Sequence, residues 1–286
     1  MILRNRLLDS LLFTHIFIGL CASALTWGNA SFAGLGKDSW PIVLLAFCGT
    51  IWVYNLHRTV GAWMTKRQDW PERFVFFYQF RKVNLVLSIL TLVVLFCLIW
   101  FYLWPLVGLL IPPAAISLAY VAPTGNGKLI RNIPFLKIFL IALTWTWVSI
   151  LLPHALSNQF GLFSVSFILI MAERFLFIFA ITIPFDIRDV EQDQRESLDT
   201  IVKVVGPSKA KYLSIGILTA ATLIGYILYA NGTWQLNYWL LHILIIIYAG
   251  LLVYRVHSDR RDAYYSWGLD GSMLLLGMIE GLYFIL

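Results

Sequence analysis

Charge is scarce in this chain. Asp, Glu, Lys and Arg make up 13% of the 286 residues, about half the share usual in a globular domain. That excludes a fold whose surface is solvated all round. Cysteine is nearly absent too. Cys21, Cys48 and Cys97 all fall inside apolar runs and none forms a CxxC pair, so a disulfide framework or zinc ribbon is excluded and they read as small buried hydrophobes. A nucleotide-binding glycine loop is missing: TGNGK at 124–128 lacks the P-loop spacing and any preceding strand. Two repeated halves with interrupted helices in matching positions are missing as well, which argues against a transporter.

What fills the chain instead is apolar surface. Apolar residues reach 60% and aromatics 16%, with a mean hydropathy of +0.79. These values define an all-α polytopic membrane protein. Runs near the length of about 20 residues that crosses a bilayer can be drawn at 9–27, 40–57, 83–104, 105–122, 135–153, 162–184, 212–230, 236–254 and 268–286. About nine transmembrane helices follow, with the split at Trp104-Pro105 resting on one proline. Residues 1–286 read as a single helical domain, and the apolar run after Arg4 and Arg6 as its first span rather than a cleaved signal peptide.

Basic residues are confined to alternate loops. Arg58, Lys66, Arg67, Arg73, Arg81 and Lys82 follow the second run, Lys128 and Arg131 the fourth, Arg188, Arg195 and Lys203 the sixth, and Arg255, Arg260 and Arg261 the eighth. The opposite loops hold Lys37 alone. By the positive-inside rule the N-terminus is cytoplasmic, and an odd span count puts the C-terminus outside. This asymmetry accounts for the net charge of +6, and no nucleic-acid partner is expected. A bacterial inner membrane is the simplest host.

Against that background the polar residues carry the functional information. The stretch FDIRDVEQD, Phe185 to Asp193, places Asp186, Asp189 and Asp193 at helical spacing directly after an apolar span. Three carboxylates on one face need a positive partner, such as Mg2+ sharing its shell with substrate phosphates or a partner rich in Arg and Lys. A solvated acidic loop is the plain alternative. On the same side, Asn55, His57 and Arg58 lie near the end of the second run, either as an interfacial belt or as an anion-binding rim. Tyr120 to Pro134, YVAPTGNGKLIRNIP, is a turn-rich loop made basic by Lys128 and Arg131. Glu173 and Arg174 lie about 17 Å into the sixth run, and Glu280 at comparable depth in the last. An Arg174–Glu280 bridge would brace the bundle. Adjacent Glu173 and Arg174 point about 100° apart and are not expected to pair. Glu173 then either joins this lock or points into a central cavity.

These elements, in this order, resemble the UbiA-type intramembrane prenyltransferase superfamily. FDIRDVEQD resembles its second aspartate-rich motif, Thr200 and Gly206 resemble positions after it, and YVAPTGNGKLIRNIP resembles its Tyr, Lys, Arg segment. Asp270-Gly271 is also similar. The first motif departs: aspartates expected at 56, 59 and 63 are Leu56, Thr59 and Trp63. The resemblance implies a UbiA-like bundle binding an isoprenyl diphosphate or related lipid phosphate and transferring the prenyl group to an apolar or aromatic acceptor. Asp186, Asp189 and Asp193 would be the catalytic carboxylates and the ligands of one Mg2+ at most. Asn55, His57, Arg58, Tyr120, Lys128 and Arg131 would contact substrate, and Glu173, if it points into the central cavity, would join them as an acid, a base or a polar anchor. Arg58, helped by His57, would stand in for the lost metal. A non-catalytic lipid-binding or scaffold protein on the same fold is the alternative.

Overall fold

The computed structural model describes residues 6–64, 72–120, 135–157, 161, 164–190 and 200–285. All regular structure among them is helical. Seven helices are long and apolar enough to cross a membrane, spanning Gly36–Trp63, Arg81–Phe101, Leu136–Ser157, Val165–Arg188, Pro207–Ala230, Leu236–Tyr254 and Tyr264–Ile285. The chain is an integral membrane protein. Two shorter apolar helices, Ile16–Phe32 and Trp104–Ala119, overlap the first and fourth runs read from sequence.

In chain order the elements are α1 (Arg6–Phe13), α2 (Ile16–Phe32), α3 (Trp40–Met64), α4 (Glu72–Gln79), α5 (Arg81–Phe101) and α6 (Val107–Ala119). They continue with α7 (Leu136–Thr146), α8 (Leu152–Ser157), α9 (Val165–Arg188), α10 (Ile201–Val205), α11 (Pro207–Ala230), α12 (Leu236–Tyr254) and α13 (Gly271–Ile285). The first span departs from the expected 9–27. His15 takes a left-handed backbone conformation, φ 62°, which ends α1 and lets α2 start afresh and run on to Phe32. The break near Trp104-Pro105 is real: α5 stops at Phe101, and a 3-10 turn, Trp104–Leu106, carries the proline.

The final helix closes the bundle by packing most extensively on α2, while α9 lies against α11 and α7. Glycine permits the first of these contacts. A Cβ at Gly277 would run into the backbone of Ala24, one at Gly28 into the Gly277 carbonyl and Glu280, and one at Gly281 into the Trp27 ring. Gly277 and Gly281 are four apart, the small-residue spacing that lets membrane helices approach closely. The largest buried cluster joins Leu25, Ile138, Phe177, Ile181, Leu218, Ile245 and Leu276 from six helices. By contrast α5 exposes Leu85, Val86, Ile89, Val93, Phe96 and Trp100, an apolar face suited to lipid. Cys97 lies exposed on that helix, whereas Cys21 and Cys48 are buried; the expectation of three buried cysteines fails where the helix is peripheral.

Candidate functional site

Helix α9 delivers its carboxylates to one end of the bundle. Ser164 accepts a hydrogen bond from the Phe167 N–H and caps its start. Its last turn then brings Asp186 to a buried position, and Asp189 terminates it. A carboxylate at a helix C-terminus meets the negative end of the macrodipole and gains nothing from the helix itself. Cations supply the compensation. Lys137 Nζ donates to Asp186 Oδ1 at 2.9 Å. Arg188 Nε donates to Asp189 Oδ1 at 2.8 Å, and its Nη1 lies 3.4 Å from Asp262. The Arg188 guanidinium also lies over the Phe185 and Tyr265 rings, 4.9 and 5.4 Å from their centroids.

Asp186 and Asp189 open into a cavity of about 210 Å³ whose lining also includes His15, Tyr54, Arg58, Lys137, Trp145, Arg188, Asp262 and Asp270. Four carboxylates and three fixed cations thus share one space. The last span contributes through a π-helical stretch, Tyr264–Asp270, a geometry frequent at functional sites because it shifts the side chains that follow. Ser266 and Asp270 reach the cavity from it. A second, apolar cleft of about 430 Å³ lies between α3, α5, α6 and α7. Its lining is almost wholly apolar, with Leu45, Leu92, Leu95, Phe96 and Leu110 among the walls. Tyr54 and Trp145 line both spaces.

The expected site residues divide. Arg58, Asp186 and Asp189 meet in the polar cavity. Asn55 stands behind it: its Oδ1 lies 2.7 Å from His15 Nδ1, and its amide reaches the Asn84 carbonyl at 3.4 Å. His57 lies 2.9 Å from the Ser117 carbonyl and stacks on Tyr120 at 4.9 Å, and neither ring is in the cavity lining. Lys128, Arg131 and Asp193 lie outside the described residues. Glu173 belongs elsewhere. Its Oε1 is 2.9 Å from His242 Nε2 and its Oε2 is 3.5 Å from Arg174 Nε, so it is held in the packed interior rather than aimed into either cavity. The Arg174–Glu280 ion pair is present, joined by Tyr238 donating to Glu280. Contact between adjacent Glu173 and Arg174 corrects the expectation from helical geometry, because the long guanidinium arm reaches back where the Cα–Cβ directions diverge. Lys137, His15, Tyr54, Trp145 and Asp262 went unread as site residues. Lys137 alone carried a signal, as an isolated cation at the start of an apolar run.

The chain is thus an all-helical membrane bundle with a carboxylate-and-arginine cavity at one end and an apolar cleft beside it. Residues 81–273 match the UbiA prenyltransferase family model, and the chain belongs to that family. Solved structures agree on the fold. A UbiA homologue from Archaeoglobus fulgidus bound to GPP and Mg2+ superposes with a TM-score of 0.63 at 13% identity, covering 95% of this chain and 96% of that one. A UbiA homologue from Archaeoglobus fulgidus bound to DMAPP and Mg2+ gives 0.61 at 14% identity, covering 95% of this chain and 96% of that one. A digeranylgeranylglyceryl phosphate synthase gives 0.55 at 14% identity, covering 97% and 99%. No curated protein matches the sequence.

The family implies Mg2+, and the two halves of the cavity answer differently. Asp186 and Asp189 offer hard oxygen donors to one space, a set that suits one Mg2+ sharing its shell with water and phosphate oxygens. On α3 the fit fails. Thr59 Oγ1 donates back to the Asn55 carbonyl at 2.8 Å, Trp63 is 86% exposed, and no carboxylate stands at 56, 59 or 63. Among the described residues no group of three His, Cys, Asp or Glu side chains is placed to hold a metal.

Proposed function

We propose that the protein binds an isoprenyl diphosphate, with the diphosphate in the polar cavity and the chain in the apolar cleft, and transfers the prenyl group to an apolar or aromatic acceptor. The observation that carries this reading is the junction at Tyr54 and Trp145, which line both spaces at once. A ligand with a charged head and an apolar tail can cross it without exposing either part to the wrong surroundings.

Prenyl transfer breaks the carbon–oxygen bond, leaving the electron pair on diphosphate and an allylic cation on carbon. The leaving group is the more demanding of the two, since its charge grows as the bond breaks. Arg58, Lys137 and Arg188 supply fixed positive charge around it, a form of stabilisation that is strong where water is excluded. One Mg2+ held by Asp186 and Asp189 would neutralise further charge on the leaving diphosphate. The Tyr54 and Trp145 rings stand where the allylic carbon would lie, and their faces favour a cation. Arg58 occupies the side where the family's first motif would place carboxylates, and provides by itself the positive charge that a metal ion would otherwise bring there.

The chain acts as one helical unit, with N-terminus and polar cavity on the cytoplasmic face of a bacterial inner membrane and C-terminus outside. The charge asymmetry of the loops supports that orientation. A non-catalytic lipid-binding or scaffold protein on the same fold is the second reading, favoured by the missing carboxylates on α3 and by the internal pairing of Asp186 and Asp189. Calorimetry of detergent-purified protein with a short and a long isoprenyl diphosphate, with and without Mg2+, separates the two. Mg2+-dependent binding that is lost in Asp189→Asn, together with release of diphosphate on incubation with candidate aromatic acceptors, supports the transferase; binding without such release, or no binding under any condition, leaves the second reading.

A further inference from the structure

Lys137 and Asp186 each sit at the end of a helix that disfavours their charge. Lys137 is the second residue of α7, at the positive end of that helix, and Asp186 lies in the last turn of α9, at the negative end of its own. A lysine and an aspartate placed for stability would take the opposite ends. The backbone is strained to put Lys137 there. Phe135, the residue before α7, is left-handed at φ 63°, a conformation that a bulky side chain avoids and that tends to persist where a site requires it. In this structure the two charges satisfy one another at 2.9 Å, with Asp186 only 2% exposed.

We propose that Lys137 is an exchanging counter-cation of the phosphate site: it neutralises Asp186 while the cavity is empty and passes to the phosphate oxygens when a divalent cation takes the carboxylate. The inference rests on the diphosphate reading above and adds a role for this lysine. The exchange follows from local charge balance once a cation and an anion enter the cavity together. A metal ion at Asp186 repels the ammonium, whose three donors and flexible stem suit it to follow the incoming anion. The positive end of α7 then reinforces Lys137 in holding phosphate, and the negative end of α9 reinforces Asp186 in holding the metal. A pair that opposed both helices in the empty state becomes two half-sites that agree with them in the loaded one.

The test uses the full chain in detergent, with Mn2+ alone as one probe and geranyl diphosphate as the other, in EDTA or in Mg2+. Lys137→Met removes the competitor for Asp186, so Mn2+ alone should bind about fivefold tighter than to wild type, while geranyl diphosphate in Mg2+ should bind about tenfold more weakly. Lys137→Arg should keep diphosphate affinity near wild type. Asp186→Asn carries the test should Lys137→Met fail to fold. It should abolish the gain from Mg2+ and, by releasing Lys137, strengthen diphosphate binding in EDTA above wild type. That gain in EDTA should vanish in the Asp186→Asn, Lys137→Met double variant; a gain that survives there is relief of repulsion alone and overturns the proposal, as does the absence of any gain. Mn2+ affinity unchanged by Lys137→Met, or no Mn2+ binding to any variant, overturns it as well. If Lys137→Met tightens Mn2+ while no variant binds geranyl diphosphate, the exchange at Asp186 stands and the isoprenyl diphosphate reading falls.

Discussion

Two clusters of buried charge stand in this bundle, and they differ in what surrounds them. At mid-depth Glu173, Arg174, His242, Tyr238, Asn29 and Glu280 come together from four helices, with every side chain buried and none of them in the lining of the polar cavity or the apolar cleft. At the end of α9 the same chemistry, carboxylates against guanidinium and ammonium, lines an open space. In the first cluster the partners are locked by the helices that carry them. In the second, the partners border a space of about 210 Å³. Ionic chemistry alone therefore does not mark a candidate site; the difference between the two clusters is the cavity that the second one lines.

Arg174→Met should break this comparison most severely. It would leave two buried carboxylates facing one imidazole, a loss of about 3–5 kcal/mol, read as a large fall in thermal midpoint with diphosphate affinity of the folded fraction intact. Asp189→Asn should do the reverse, costing Mg2+-dependent diphosphate binding about 1.5–3 kcal/mol by calorimetry while moving the thermal midpoint far less. Arg58→Met should cost binding about 1–2 kcal/mol through the lost charged contact, with or without Mg2+, because Arg58 contributes positive charge of its own. Trp145→Leu should have the smallest effect, about 0.5–2 kcal/mol, and it should appear in turnover more than in ground-state affinity if the ring faces the allylic cation. An Arg174→Met variant that folded normally but lost diphosphate binding would erase the distinction between the clusters.

Much of the fold was legible because bilayer thickness imposes a length on apolar runs. The run at 236–254 matches α12 at both ends, and the Arg174–Glu280 bridge followed from two charges at equal depth in helices that had to face protein. His242 was overlooked as the partner of Glu173 because a lone histidine in an apolar run has no spacing to announce it. Lys137 did stand out as an isolated cation at the start of an apolar run, but its partner depends on α7 lying against α9, a contact between residues 49 positions apart. The π-helical stretch at Tyr264–Asp270 was invisible because its sequence reads as ordinary helix, yet it brings Ser266 and Asp270 to the cavity.

By itself the sequence determined that this chain enters a membrane as helices, where polar residues interrupt them, and that a carboxylate motif survives on α9 without its counterpart on α3. These are local properties, set by hydropathy over a bilayer's thickness and by residue identity. The tertiary structure decided which charges share a cavity and which are sealed in the core. It set Glu173 against His242 and Arg174, set Lys137 against Asp186, and joined a polar space to an apolar one at Tyr54 and Trp145. The physical reason is that an ion pair in a low-dielectric interior depends on separations of a few ångströms between residues far apart in the chain, and only helix packing fixes those separations.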